Sequence, residues 1–438
     1  MSRKELKVVV ATPAVHIKLI IFLWFVAIIT VASMAFAGPC GWDADVYWKA
    51  IQAVHHGQDP YAIGLAAQQA FHDRAHSPTE HAPFAYVYSP ITLPFCRFLG
   101  MFPGWLLAPI YLGALAAGIG LTLWAGFQMA AEHERRWLKM VLPFVVLFPG
   151  LLTDDVILSG NMAYILNGLI LAAAVRGWKD DRWAYFYAAV LFASIFKAPL
   201  LTMLAISVLV GRRQWGRACS TGALGLLLFA AQVRIWPELF REYLIAVRLQ
   251  FDWNHDFGFG PAGVLSKILC QMGKPYNPAA TILYLAFAAV LGTVLLFLAH
   301  RVRQGKLPQQ VWIPIAIIGT ILLNPRIKEY DVAAITIPML LIVWRTLGLV
   351  LNYFPREVRD SRLSEAIRPS AQSRPDFALL LAGSGWFCAF NVIAATVEWK
   401  PTELGLLLGI FSMGVWSLYR TRHELRKKEH EPARAPVH

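Results

Sequence analysis

Long apolar runs divide this chain, and short groups of lysine and arginine fall between alternate pairs of them. Runs long enough to matter lie at about 16–37, 104–129, 138–152, 161–175, 183–197, 199–211, 218–236, 279–300, 310–323, 332–352, 376–397 and 403–419. A helix needs roughly 20 apolar residues to cross the hydrocarbon core of a bilayer. Several of these runs are shorter, and 183–211 reads as a tight hairpin with Lys197-Ala198-Pro199 at its tip. Pro199 disfavours helix at the residue before it, which suits a turn there. The composition agrees with a membrane chain. Only 15% of residues are charged, against about 25% in soluble domains, and the mean hydropathy is +0.50.

The basic residues set a sidedness. With residues 1–15 in the cytoplasm, 28 of the 40 Lys and Arg fall on the inner side of every crossing. The two longest loops, 38–103 and 237–278, then face outward, and 15 of the 27 carboxylates fall outside. This is the bias expected when cytoplasmic loops retain positive charge. It also disposes of a nucleic-acid reading of the net charge of +13, because the cations form no single patch. The expected architecture is an all-α integral membrane protein of about 10–12 transmembrane helices. Its membrane domain spans 16–419, with a cytoplasmic loop at 353–375 and a disordered cytoplasmic tail at 420–438. Both termini face the cytoplasm of an inner membrane. Ile17 to Ala37 is too long for a signal-peptide core. Cys219 and Cys388 lie in apolar runs as small hydrophobes, while Cys40, Cys96 and Cys270 leave one disulfide open.

The inner surface is basic and plain; the outer loops are acidic, aromatic and rich in Pro and Gly, so chemistry is expected outside. The first outer loop opens GWDADVYWKAIQAVHHGQDPYA. Val46, Ala50, Ile51, Ala53 and Val54 share one face of a short amphipathic helix. Gly57 and Asp59-Pro60-Tyr61 end it. Such a helix lies in the interface, with its aromatic residues at headgroup level. Asp43 stands at its head, placed to act as a base on a half-lipid substrate.

These residues resemble a known signature. The pattern D-x-x-V-Y-[WY]-x-A, then G-x-D-P-Y and F-x-Y-x-x-P, is similar to that of glycosyltransferase family 87. Asp43, Val46, Tyr47, Trp48, Ala50, Gly57, Asp59, Pro60 and Tyr61 carry the first two parts, and Phe84, Tyr86 and the residues to Pro90 approximate the third. The resemblance implies a GT-C-like bundle whose extracytoplasmic loops carry short interfacial helices. It implies transfer of a hexose, mannose by analogy, from a polyprenyl-phosphate sugar to a lipid or glycan acceptor. Asp43 would be the catalytic base and Asp45, at a variable position, a secondary candidate. Tyr47, Trp48, Asp59, Tyr61 and Tyr86 would contact substrate. Ser159-Gly160-Asn161 resembles a G-[QN]-x-N-like element, which makes Asn161 a further substrate contact. Phe196-Lys197-Ala198-Pro199 approximates a K-x-x-P element. Asn254-His255-Asp256 resembles an asparagine-led outer-loop motif, and His255 is the histidine best placed for a sugar. Residues Asn324 to Asp331 depart from the family, where Trp and His are more usual.

The chemistry asks for a carboxylate to take the acceptor proton and cations to hold the leaving phosphate. Lys197, Arg326 and Lys328 are the outer cations placed for the second task. A cation at the depth of Lys197 is costly unless paired. The bland readings are a snorkelling lysine and a salt bridge of Arg326 and Lys328 with Glu329 or Asp331. No GxGxxG or Walker loop implies a nucleotide. No metal is expected: the outer-loop histidines lack ligand spacing, and although Asp154 and Asp155 are acidic, the donors implied generally need none. The competing readings are a transporter or flippase of lipid-linked sugars, and a non-catalytic envelope assembly protein. A transporter would show ionisable groups at mid-membrane, and almost none are present.

Overall fold

The computed structural model describes residues 41–75, 83–132, 158–254, 257–274, 277–353 and 400–430, with isolated positions at 21, 25, 134, 135, 138, 139, 142 and 385. The expected spans 16–37, 138–152 and 376–397 lie almost wholly outside the described residues, as do Cys40, Cys388, Asp154, Asp155 and His255. All regular structure among the described residues is helical.

Among the described residues, four helices are long and apolar enough to cross a membrane: Gly104–Met129 (α4), Trp215–Ile235 (α8), Ala279–Arg303 (α11) and residues 402–423 of Lys400–His430 (α15). At 1.5 Å per residue, the 26 residues of α4 reach about 39 Å, more than the roughly 30 Å of hydrocarbon. In the first three, only 17–22% of the apolar stretch is buried. Leu226, Leu227, Ile282, Leu285 and Val290 point outward. A helix apolar all round with so little protein cover needs another apolar solvent.

Two shorter helices form the core. In Gln309–Leu322 (α12) every residue from Trp312 to Leu322 is buried. Thr336–Tyr353 (α14) is buried from Ile337 to Trp344. Ala163–Asp180 (α5) packs on α4 through two glycines. A Cβ on Gly168 would lie 2.4 Å from the Gly118 carbonyl, and one on Gly118 would lie 2.6 Å from that of Tyr164. Small residues let helix backbones approach this closely in membranes. The hairpin expected at 183–211 is Ala184–Phe196 (α6), a 3₁₀ turn over Ala198–Leu204, and Ala205–Val210 (α7). Its second arm is therefore half 3₁₀ rather than wholly α. Pro199 lacks the N–H that would reach Ile195, and Ser89 Oγ donates to that freed carbonyl instead, at 3.4 Å.

The two long loops expected to face outward are folded. In the first, Trp42–His55 (α1) is followed by Pro60–His72 (α2), then Leu93–Leu99 (α3). Asp59 caps α2, accepting from Tyr61 N at 2.8 Å, with Pro60 at the first helical position. In the second, Pro237–Asn254 (α9) and Pro261–Gln271 (α10) are helical. Glu242 of α9 meets Asp59. Two carboxyls can bond only when one keeps a proton, so this contact, with burial second, pushes Glu242 up to about 7. Cys96 is a buried free thiol, not joined to Cys270.

The far end of the bundle is pinned. Arg345 of α14 donates to both Glu134 oxygens, at 2.8 and 2.9 Å, to the Met129 carbonyl of α4 at 3.2 Å and to the Gln310 carbonyl of α12 at 3.3 Å. Helix α15 continues to His430. The stretch to that point, expected to be disordered, is rich in Arg, Lys and Glu, which favour helix.

Candidate active site

The site forms where α5 begins. Gly160 takes a left-handed φ of 68°, and a Cβ there would meet the Ala44 Cβ at 3.0 Å. The glycine thus turns Ser159-Gly160-Asn161 against the first turn of α1, with Tyr111 OH donating to the Gly160 carbonyl. Asn161 follows, 3% exposed. Its Nδ2 donates to Asp43 Oδ2 at 2.8 Å. Its Oδ1 accepts from Lys197 Nζ at 3.1 Å and from Ala163 N at 2.9 Å. An amide oxygen that already serves two donors leaves its nitrogen only the carboxylate to face. One carboxamide therefore joins Asp43 to Lys197.

Lys197 sits in extended conformation at the break between α6 and the 3₁₀ turn. Its ammonium lies 3.7 Å from the centre of the Tyr330 ring, a cation–π contact. It lines a cavity of about 250 Å³ together with Arg326, Asn324, Gln250 and Asp331. Phe196, Phe229, Val247 and Phe251 supply the apolar wall. The Arg326 guanidinium stands 5.1 Å over the Phe251 ring, and its backbone N donates to Asn324 Oδ1 at 3.1 Å.

Asp331, 5% exposed, belongs to the short helix Glu329–Ala333 (α13). It accepts from Lys328 N at 3.0 Å. Burial pushes its carboxyl up to about 6, against the pull of Lys197, the Lys328 N–H, Arg326 and Lys328. At neutral pH it is still mostly ionised. The cavity thus combines one carboxylate with a surrounding group of cations. Sequence reasoning had treated Asp331 only as a loop charge. Its closeness to Lys197 rests on the fold, since 134 positions separate them.

The other expected residues divide. Tyr47, one turn after Asp43, shares a 2.8 Å hydrogen bond with Tyr88 OH. Burial pushes its phenol well above the ordinary value, with Tyr88 and Asp43 adding to the effect. It therefore stays neutral beside the carboxylate. Asp45 points away and is exposed, 2.6 Å from Lys49. Trp48 packs toward Gly104 at the start of α4. Asp59 is the helix cap already described. Tyr61 is fully buried and donates to the Tyr88 carbonyl, and Tyr86 OH meets Thr92 Oγ1 at 2.7 Å. These three build the loop that carries Asp43 and are not gathered around the cavity. Asn254 ends α9, and its side chain, like His255, lies outside the described residues. The neighbours Tyr88, Tyr111 and Tyr330 carried no signal in the sequence beyond being aromatic.

Chemically, the arrangement offers a half-buried carboxylate, a cation one amide away and an apolar-walled cavity that Lys197 and Arg326 line. The chain matches no protein-family model, no curated protein and no solved structure.

Proposed function

We propose that the chain is a membrane glycosyltransferase that moves a hexose, mannose by analogy, from a polyprenyl-phosphate sugar to a lipid or glycan acceptor. The observation that carries this reading is the continuous link from Asp43 through Asn161 to Lys197 on the wall of the cavity. In the step proposed, Asp43 takes the acceptor hydroxyl proton. The acceptor oxygen bonds the anomeric carbon from the face opposite the phosphate. The bond from that carbon to the phosphate oxygen breaks, and its electron pair leaves with the lipid phosphate. The configuration inverts. Lys197, Arg326 and Lys328 meet the charge as it grows, which is where fixed cations lower a barrier most. The apolar wall of Phe196, Phe229, Val247 and Phe251 suits the first isoprene units. The reaction would take place on the extracytoplasmic face of a cytoplasmic membrane, both termini inside.

The test is direct. The full chain, purified in detergent, is given polyprenyl-phosphate hexoses and membrane lipids, and glycosylated product is sought. Transfer that disappears in Asp43→Asn supports the reading. Absence of transfer with every hexose, together with movement of lipid-linked sugar across proteoliposomes, would replace it with a flippase. Sidedness is checked with cysteines placed at Asp45 and Asp180: the first must label from outside and the second must not.

A further inference from the structure

We propose that Asp331 sets the charge this cavity accepts and so selects lipid monophosphate over lipid diphosphate. The proposal rests on the cavity being the lipid-phosphate site proposed above. Three cations surround the position. Lys197 and Arg326 line the cavity, and Lys328 adjoins it through the bond from its backbone to Asp331. Against them stands one carboxylate, 5% exposed and on the cavity wall. With Asp43, one amide beyond Lys197, the surplus is one positive charge, and it becomes two once Asp43 has taken the acceptor proton.

A sugar phosphodiester carries one negative charge. When its sugar leaves, the lipid monophosphate carries close to two at neutral pH. The cavity is therefore neutralised by the product of bond cleavage, and most nearly by the transition state leading to it. A lipid diphosphate brings one charge more and must place it beside Asp331, whose own carboxyl is 5% exposed. Repulsion between like charges a few ångströms apart and shielded from water is costly. Were attraction to phosphate the cavity's only task, a buried carboxylate there would work against it. Its presence makes sense as a means of exclusion, since specificity is often built from repulsion.

The experiment measures binding of polyprenyl monophosphate and polyprenyl diphosphate of equal chain length to the full chain in nanodiscs. Wild type should bind the monophosphate more tightly, by about tenfold or more. Asp331→Asn and Asp331→Ser both retain an oxygen for the Lys328 N–H, and each should erode that ratio by about tenfold. Asp180→Asn, the same charge change at an exposed position, should leave it alone. A wild type that binds the diphosphate as tightly as the monophosphate overturns the proposal without recourse to any variant. Variants that keep the wild-type ratio overturn it too. If wild type binds neither lipid, the phosphate site itself is wrong, a result distinct from the loss of selectivity alone.

Discussion

Asn161 Nδ2 donates to Asp43 Oδ2 at 2.8 Å across 118 residues of sequence. The amide that makes this bond also accepts from Lys197, so a rotation of Asn161 cannot satisfy one partner without abandoning the other. Asp43 and Asp45 are separated by this bond. One is held toward the bundle, while the other is exposed and paired with Lys49.

That difference predicts unequal mutants. Asp43→Asn should lower the transfer rate by about 10²–10⁴-fold, the usual contribution of a general base. Asp45→Asn breaks only a surface ion pair, worth about 0–1 kcal/mol, and should stay within about threefold of wild type. Initial rates under saturating donor decide between them. Equal losses would return both carboxylates to the same rank.

Lys197→Met keeps much of the apolar length and removes the charge. Donor KM should rise by about tenfold or more, the scale of one charge-assisted bond of about 1.5–3 kcal/mol. Acceptor KM should change little. A rise confined to acceptor KM would move the phosphate elsewhere.

The contact between α4 and α5 gives a test of the fold independent of function. Gly168→Ala puts a methyl 2.4 Å from the Gly118 carbonyl and should destabilise by about 1–3 kcal/mol. Gly120, on the same helix as Gly118, has open space around it. Gly120→Ala should be neutral, or stabilising by up to about 1 kcal/mol. Thermal unfolding in one detergent compares them.

Glu242 makes stability depend on pH. Its folded pKa of about 7 lies above its ordinary value of 4.5, so the folded state holds the proton more tightly. The stabilisation is complete below about 4.5 and is lost as pH rises through 7. Unfolding temperatures recorded from pH 5 to 8 should fall across that window in wild type. In Glu242→Gln, where the proton is built in, the fall should flatten. A slope identical in both would remove the contact with Asp59 as its source.

Much of the bundle was legible in the sequence because the bilayer reads segments one at a time. The expected span 104–129 coincides with α4, and 310–323 is offset from α12 by a single residue. The helix after Gly41 and the stop before Asp59 were legible from local turn chemistry. The site was legible only in part. Asp43 stood out as the head of an amphipathic helix, and Lys197 as a cation ending an apolar run. The tyrosines misled, since a sequence shows a phenol without its partner. Tyr61 and Tyr86 turn their hydroxyls into the loop's own interior. Asp331 was obscured by its neighbours: Arg326, Lys328 and Glu329 make an ordinary loop salt bridge the simplest reading. Only the approach of α13 to the tip of the 183–211 hairpin brings it to Lys197.

The fastening at Arg345 has a mechanical consequence. One guanidinium ties the last carbonyl of α4, the Glu134 carboxylate and the first turn of α12 to α14. The cavity lies at the opposite end of these helices, between segments joined by hydroxyls and single amides. Such a body has a fulcrum. Any opening of the helices at the cavity would turn about the pinned end.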